Sequence, residues 1–390
     1  MKYSYQLIIL GSDVQEKYQI LSQIKNEFVN LKIASDFLKT IEGSDVDQEY
    51  KGNQPAFALY FGATDGDFKD TSVTERLLKD GTMILPIYFN EFSSDIPEVL
   101  KSQNAIKFTD NEVSKISNVV LESFELLRST RKVFISYKRA ESSAAAIQLF
   151  EALEAANFDV FLDTHSIRKG EPFQEELWHR MTDCDVIVLL NTPKFLESHW
   201  CKEEFAEAGA KQIGIVQLVW PSHNIGGIES SSHISYPIQL GKGDFVDEVY
   251  NEKGRFKQSL VEQIIQKVES VRARNLAARQ DGLITEFRNI AMRNGRVIAV
   301  QPERFLTEKL ENGKRIIYIP TIGIPQSSSC KSAEIKNELM GYGDVAIRLI
   351  YDDLRIREKW LKHLDWLNDN FKKDIKTLKK REFESWLHRK

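Results

Sequence analysis

The sequence predicts an α/β protein, and three observations carry that prediction. Short apolar runs alternate with segments whose apolar residues recur every three or four positions, the pattern of strands joined by helices. The alternation occurs three times, with joints near residues 129 and 277. The chain has 390 residues, 42% of them hydrophobic and 28% charged, which is too long for one ordinary domain and apolar enough for each piece to bury a core. The expected organisation is an α/β domain over 1–128, a central domain over 131–276 and an α/β module over 278–390.

In the first stretch, Tyr5-Gln-Leu-Ile-Ile-Leu10 reads as a buried strand stopped by Gly11, with a helix N-cap at Ser12 or Asp13. Val14, Tyr18, Leu21, Ile24 and Phe28 mark one face of the helix that follows. Ala56–Phe61 and Met83–Phe89 are two further strands. Pro86 bends the second or places it at an edge, because proline cannot donate to a ladder. A last helix is expected over 111–128.

The second stretch opens with strand Lys132–Tyr137 and a helix burying Ala146, Leu149, Phe150 and Leu153. Strand Phe158–Asp163, a polar loop from Thr164 to Phe173, a helix near 174–182 and strand Asp185–Leu190 follow. The series closes with a helix near 199–211, strand Ile213–Trp220, a Gly/Ser/His-rich loop over 222–236 and a helix over 255–275 burying Leu260, Ile264, Val268 and Val271. Parallel strands joined this way form a doubly wound sheet, with ligands expected at the strand C-termini. In the third stretch, strands are expected near Val297–Gln301, Arg315–Ile319 and Val345–Tyr351. A long amphipathic helix is expected through Trp360, Leu364, Leu367, Phe371, Ile375 and Leu378.

Composition narrows the function classes. A net charge of −4 gives no general attraction to polyanions, so nucleic acid is not an expected partner. The tail 371–390, with eight Lys/Arg against three Asp/Glu, reads as a solvated helix face or, alternatively, a partner or nucleic-acid contact. Cys184, Cys201 and Cys330 are sparse, odd in number and without metal spacing, which fits a reducing compartment. There is no signal-peptide pattern at the N-terminus and no run near the ~18–20 apolar residues of a membrane span. A cytoplasmic protein with no membrane contact is expected.

Three segments of the central stretch carry chemistry: Val133-Phe-Ile-Ser-Tyr-Lys-Arg139, then Phe161-Leu-Asp163 with Ile167-Arg-Lys-Gly-Glu-Pro-Phe173, then Ser198-His-Trp-Cys-Lys-Glu-Glu204. In order and spacing they resemble the TIR (Toll/interleukin-1 receptor) family: its opening strand, its glycine-containing loop and its S-x-W-C-x-x-E box. The resemblance covers about 145 of the 390 residues. It implies a flavodoxin-like parallel sheet. It also implies one of two functions: cleavage of the nicotinamide–ribose bond of NAD⁺, or a non-enzymatic adaptor acting through TIR–TIR association. The enzyme is the leading expectation, with NAD⁺ as substrate, no cofactor and no metal, as a regulated effector resembling those of prokaryotic anti-phage defence. Self-association through TIR domains and a trigger acting through the flanking domains are the implied partners.

The resemblance makes Glu204 the catalytic carboxylate, and helical spacing sets Trp200 on the same face. Loss of nicotinamide leaves an oxocarbenium-like ribose, which one carboxylate can stabilise. The leaving group is already cationic in NAD⁺, so no general acid is required. Glu203 lies about 100° further round the helix and cannot share that orientation. Trp200 supplies an aromatic wall. Tyr137 and Arg139 end the first strand, where Arg139 either pairs with the pyrophosphate or is an exposed loop residue. Gly170 lets the loop backbone approach the ligand, and Phe173 either covers a ring or packs beneath the loop. Ser136 and Ser142 bond the ribose or cap the first helix, capping being the reading for Ser142.

His165, His179 and His199 have no ligand spacing, Gly226-Gly227 is not a dinucleotide fingerprint, and Ser327–Cys330 reads as a loop. The N-terminal stretch contains no tryptophan, and its Ile84–Phe89, Ile96-Pro97 and Asn104–Phe108 are similar to the late strands of TIR domains. It is read as a degenerate TIR-like domain or, alternatively, a receiver-like one.

Overall fold

The computed structural model describes residues 4–52, 54–124, 126–128, 130–162, 173–195, 212–221, 223, 235–301, 304–371 and 373–388, with backbone alone for Phe173, Gln174 and Leu339. The chain divides into two compact units, 1–129 and 130–390. Mixed α/β architecture with parallel-strand sheets runs through both.

In the first unit, strands β1 (Tyr5–Gly11), β2 (Leu38–Glu42), β3 (Ala56–Phe61), β4 (Met83–Tyr88) and β5 (Ile106–Lys107) pair in the order β2-β1-β3-β4-β5. All of these pairings are parallel. Helices α1 (Glu16–Asn30), α2 (Thr71–Lys79) and α3 (Val113–Ser123) are the main helices of this unit. Neither Ser12 nor Asp13 caps α1, whose N-cap residue is Gln15 with no side-chain cap bond. Asp13 pairs instead with Lys17 one turn on (2.5 Å). Tyr18 is exposed; Ile20, Ile24 and Phe28 form the buried face.

Pro86 costs the sheet nothing. Ile87 accepts from the Gly62 N–H on the β3 side (2.8 Å), and Tyr88 accepts from the Phe108 N–H on the β5 side (2.7 Å). Alternate residues thus face alternate neighbours, and Pro86, in phase with Tyr88, turns its missing donor toward β5. Strand β5 pairs only with Ile87 and Tyr88, so no ladder bond is lost.

The second unit begins with β6 (Lys132–Ser136), β7 (Asp159–Leu162), β8 (Val186–Asn191), β9 (Gly214–Val219) and β10 (Ser235–Gln239), in the order β10-β9-β8-β6-β7. Every pairing is again parallel. Counted from its own first strand this is the flavodoxin-like order 2-1-3-4-5, the order also found in the first unit. Helices α4 (Arg139–Ala155) and α5 (Phe173–Asp183) lie on opposite faces of the sheet. Strand β10 begins at the end of the stretch expected as a loop, 222–236; it is an edge strand with no fully buried residue, so no apolar run marks it.

Helix α6 (Gln258–Arg293) is 36 residues long, where the sequence predicted a helix ending near 275. Its first half buries Leu260, Ile264, Val268 and Val271 against the β6–β10 sheet. Its second half buries Leu283, Ile284 and Phe287 in the core of the next sheet. Gly214 permits the close approach: a Cβ there would meet Val271 Cγ1 at 2.5 Å.

The remaining strands are β11 (Ile298–Val300), β12 (Leu306–Lys309), β13 (Arg315–Pro320), β14 (Ala346–Tyr351) and β15 (Ile375–Lys379). They pair in sequence order, antiparallel up to β13 and parallel from there. Helices α7 (Ser327–Met340), α8 (Glu358–Asn370) and α9 (Phe383–His388) accompany them. Ser327–Cys330 therefore opens a helix and is not a loop.

The long helix expected through Leu378 ends at Asn370, and Ile375 and Leu378 belong to β15. Asn368 on α8 seals the change of structure: its Oδ1 accepts from Thr377 N (2.6 Å) and its Nδ2 donates to Thr377 O (3.2 Å). Four described cations of the basic tail are paired with carboxylates. Lys373 pairs with Glu334, Lys379 with Asp365, Lys380 with Glu286 and Arg381 with Asp353.

Candidate active site

The sheet β6–β10 has two faces, and strand alternation assigns each side chain to one. Val133, Ile135, Val186, Val188, Val216 and Leu218 point into the layer beneath α4 and α6. Phe134, Ile187, Leu189 and Ile215 point to the opposite layer, beneath α5. The order of strands reverses between β6 and β8, so the crevice beyond their C-termini is the topological switch point where ligands settle in such sheets.

At that end the two faces differ sharply in chemistry. The α4/α6 side is closed by aromatic packing: Trp220 sits edge-on to Phe245 (5.2 Å) and Phe256 (5.8 Å), and its indole N–H donates to Tyr250 O (2.7 Å). Tyr137 belongs to this closed layer and is 6% exposed. The α5 side is polar. Ser136, Asn191 and Gln217 continue the series Phe134, Leu189 and Ile215 on that face, and each is 0–1% exposed. Both amide atoms of Asn191 are buried without a partner, as are Thr192 Oγ1 and Gln217 Nε2; Gln217 Oε1 accepts from Ser235 Oγ (3.0 Å). Buried amides and hydroxyls are nearly always paired, so orphaned ones at a switch point fit a polar ligand there.

The rim is tied across the switch point. Lys138 Nζ donates to Lys194 O (2.7 Å), and Lys194 N donates to Glu141 Oε2 (3.3 Å). Arg139 is the first residue of α4 and is exposed. Ser142 stands at a kink in α4, where two helical segments meet (φ −149°, ψ 25°), and its hydroxyl donates back to Lys138 O (3.3 Å). Lower on the same face, Phe134 and Phe161 stack (5.4 Å, 19°), with the Arg180 guanidinium 5.3 Å from the Phe161 ring.

Phe173 opens α5, and its backbone alone is described. Gly170, Trp200 and Glu204, with His165, His199, Cys201 and Glu203, lie outside the described residues. Of the sequence-predicted residues, Tyr137 and Arg139 are thus placed at the C-terminal end of β6, but Tyr137 is not on the polar face. Asn191, Thr192 and Gln217 escaped the sequence reading. Their signal was available, since each is a polar residue in or directly after an otherwise apolar strand.

Helix α5 is gripped by the C-terminal elements. Glu176 pairs with Arg357 and with Arg180 (2.9 Å), Ile324 N donates to Asp183 Oδ1 (2.9 Å), and the Arg355 guanidinium lies 3.7 Å from the Trp178 ring. The His179 imidazole stacks on Trp360 (5.4 Å, 21°). Burial pushes His179 down to about 4. Burial also opposes ionisation of Glu176, but hydrogen bonds from Arg357 and Arg180 outweigh it and hold the carboxyl below its usual range. Among the described residues no cluster of His, Cys, Asp or Glu could hold a metal ion, and no helix is long and apolar enough to cross a membrane.

Comparison with known proteins bears on this sheet. The TIR domain family model matches residues 133–236. Residues 133–236 form a TIR domain. The chain is also similar to a probable 2′ cyclic ADP-D-ribose synthase of Brachypodium distachyon, at 25% identity over 93 residues. The aligned stretch covers 24% of this chain and 42% of the relative's length. The polar face at the switch point, the tied rim of Lys138 and Lys194, and the start of α5 all belong to the TIR domain.

Proposed function

We propose that the TIR domain cleaves the nicotinamide–ribose bond of NAD⁺. The observation that carries this reading is the Trp200-Cys-Lys-Glu-Glu204 box lying inside the matched segment 133–236. The similarity to a cyclic ADP-ribose synthase supports it. Cyclic ADP-ribose is NAD⁺ without nicotinamide, closed on itself, so forming it requires the same bond to break.

In this reading the C1′–N bond breaks heterolytically and its electron pair returns to the pyridinium nitrogen, releasing neutral nicotinamide. The Glu204 carboxylate stabilises the oxocarbenium-like ribose, which is captured either by water, with loss of a proton, or by an internal hydroxyl. Trp200 is one wall of the pocket, while Arg139, Gly170 and Phe173 contact the dinucleotide from the rim. Ser136 and Asn191 supply hydrogen bonds from the sheet. The domain works in the cytoplasm as a regulated defence or signalling effector, activated when TIR domains assemble.

The test is nicotinamide release from NAD⁺ by the purified full chain over a range of protein concentrations. Release that rises faster than in proportion to concentration is expected, as is a loss of at least ~100-fold in Glu204→Gln, a carboxylate-to-amide change comparable to removal of one electrostatic group in an active site. A Glu204→Gln protein as active as wild type would sink the assignment. Mass spectrometry of the product separates ADP-ribose from a cyclic form.

A further inference from the structure

The C-terminal sheet has a ligand crevice of its own. Strands β13, β14 and β15 are parallel and end on one side, where open α/β sheets receive their ligands. The loops after these strands, one face of α6 and the end of α5 border an open cleft of about 270 Å³. That is slightly below the ~300 Å³ at which pockets for drug-sized molecules begin, and it suits a smaller guest.

Two features of the wall point to occupancy. Gly282 faces the cleft from the interior of the 36-residue α6, where glycine is the least favourable residue after proline. No neighbour demands it: a Cβ there would meet only Gln212 Oε1, at 3.8 Å, and its φ is not left-handed. What the glycine supplies is open space. Thr182, on the opposite wall, is 2% exposed, and its hydroxyl has no hydrogen-bond partner. Such a group is costly to leave unpaired and is satisfied by a guest's hydroxyl or amide.

The charges on the wall are balanced and engaged. Lys380 pairs with Glu286 (2.7 Å), Arg279 donates to the carbonyls of Cys184 (2.8 Å) and Thr182 (3.2 Å), and Asp352 accepts from Leu354 N (3.0 Å). Two cations and two anions leave no surplus for a phosphate. Leu283 adds an apolar surface on which a ring can lie.

We infer that this cleft binds an uncharged, ring-containing, hydroxyl-bearing small molecule of nucleoside size, and that the bound molecule bridges the TIR domain and the C-terminal sheet. The inference does not rest on NAD⁺ cleavage. Titration calorimetry of the full chain with adenosine, uridine and AMP tests it, alongside Gly282→Leu and Thr182→Val. A nucleoside is expected to bind the wild type at one site and raise its melting temperature, with AMP at least tenfold weaker. Gly282→Leu fills the space and favours the helix, so it should keep the fold and weaken nucleoside binding at least tenfold; Thr182→Val should weaken it several-fold. No nucleoside binding, nucleoside binding that survives Gly282→Leu at full affinity, or AMP binding more tightly than adenosine would each overturn the inference.

Discussion

Arg272 Nε donates to Asp185 Oδ2 at 2.9 Å, and neither side chain has any solvent-exposed surface. Asp185 also accepts from the Lys132 backbone N–H (3.2 Å), while its own N–H donates to Lys132 O (2.7 Å). One carboxylate therefore joins the start of β6, the start of β8 and the middle of α6. Removing one partner of such a pair strands the other charge in a low-dielectric core, at a cost of about 3–5 kcal/mol. Arg272→Ala is expected to lose that much in urea denaturation. The double variant Arg272→Met with Asp185→Leu should regain most of it, and a single variant within about 1 kcal/mol of wild type contradicts the assignment.

His179 gives a pH dependence with a definite sign. Its ordinary value is 6.5, and burial lowers it to about 4 in the fold, so between those values the unfolded chain holds the additional proton. Stability present above pH 6.5 is therefore lost as the pH falls toward 4. Glu176 acts in the same direction but lower down, since its carboxyl is held below the ordinary 4.5. The melting temperature should fall between pH 7 and 5. His179→Phe, which keeps a ring against Trp360, should flatten that slope; an unchanged slope assigns it elsewhere.

Asn191 separates stability from function. Its amide is fully buried and unpartnered, an arrangement that costs about 1–3 kcal/mol unless a ligand satisfies it. Asn191→Leu, which keeps the γ-branched shape, is expected to melt at or above the wild-type temperature while releasing nicotinamide at least tenfold more slowly. A variant that is both stable and fully active removes Asn191 from the site.

Continuous apolar runs made the central strands of the first two sheets readable from sequence: β1, β3, β4, β6, β8 and β9 are each buried on both faces. The edge strands β2 and β10 carry no such run. Strand β2 has one buried residue in five and β10 has none, and both were missed. The helix through Leu378 was overextended for a different reason. Trp360, Leu364, Leu367, Phe371, Ile375 and Leu378 keep helical spacing across a real boundary, and the hydrogen bonds between Asn368 and Thr377 that fix it are tertiary. In the site, the three family-like motifs located the TIR domain. They did not reveal which face of its sheet is polar, because that follows from strand register, not from any one motif.

The 36 residues of α6 belong to two cores at once. A fragment cut at the apparent domain edge near 276 would sever the helix between Val271 and Leu283, leaving each half without the cap and the turns supplied by the other. Gene fusion or truncation at that joint is thus expected to yield insoluble pieces, whereas a cut in the short stretch between Ser123 and Lys132 crosses no helix or strand among the described residues. The TIR domain and the C-terminal sheet are therefore expected to transfer between proteins only as a single cassette.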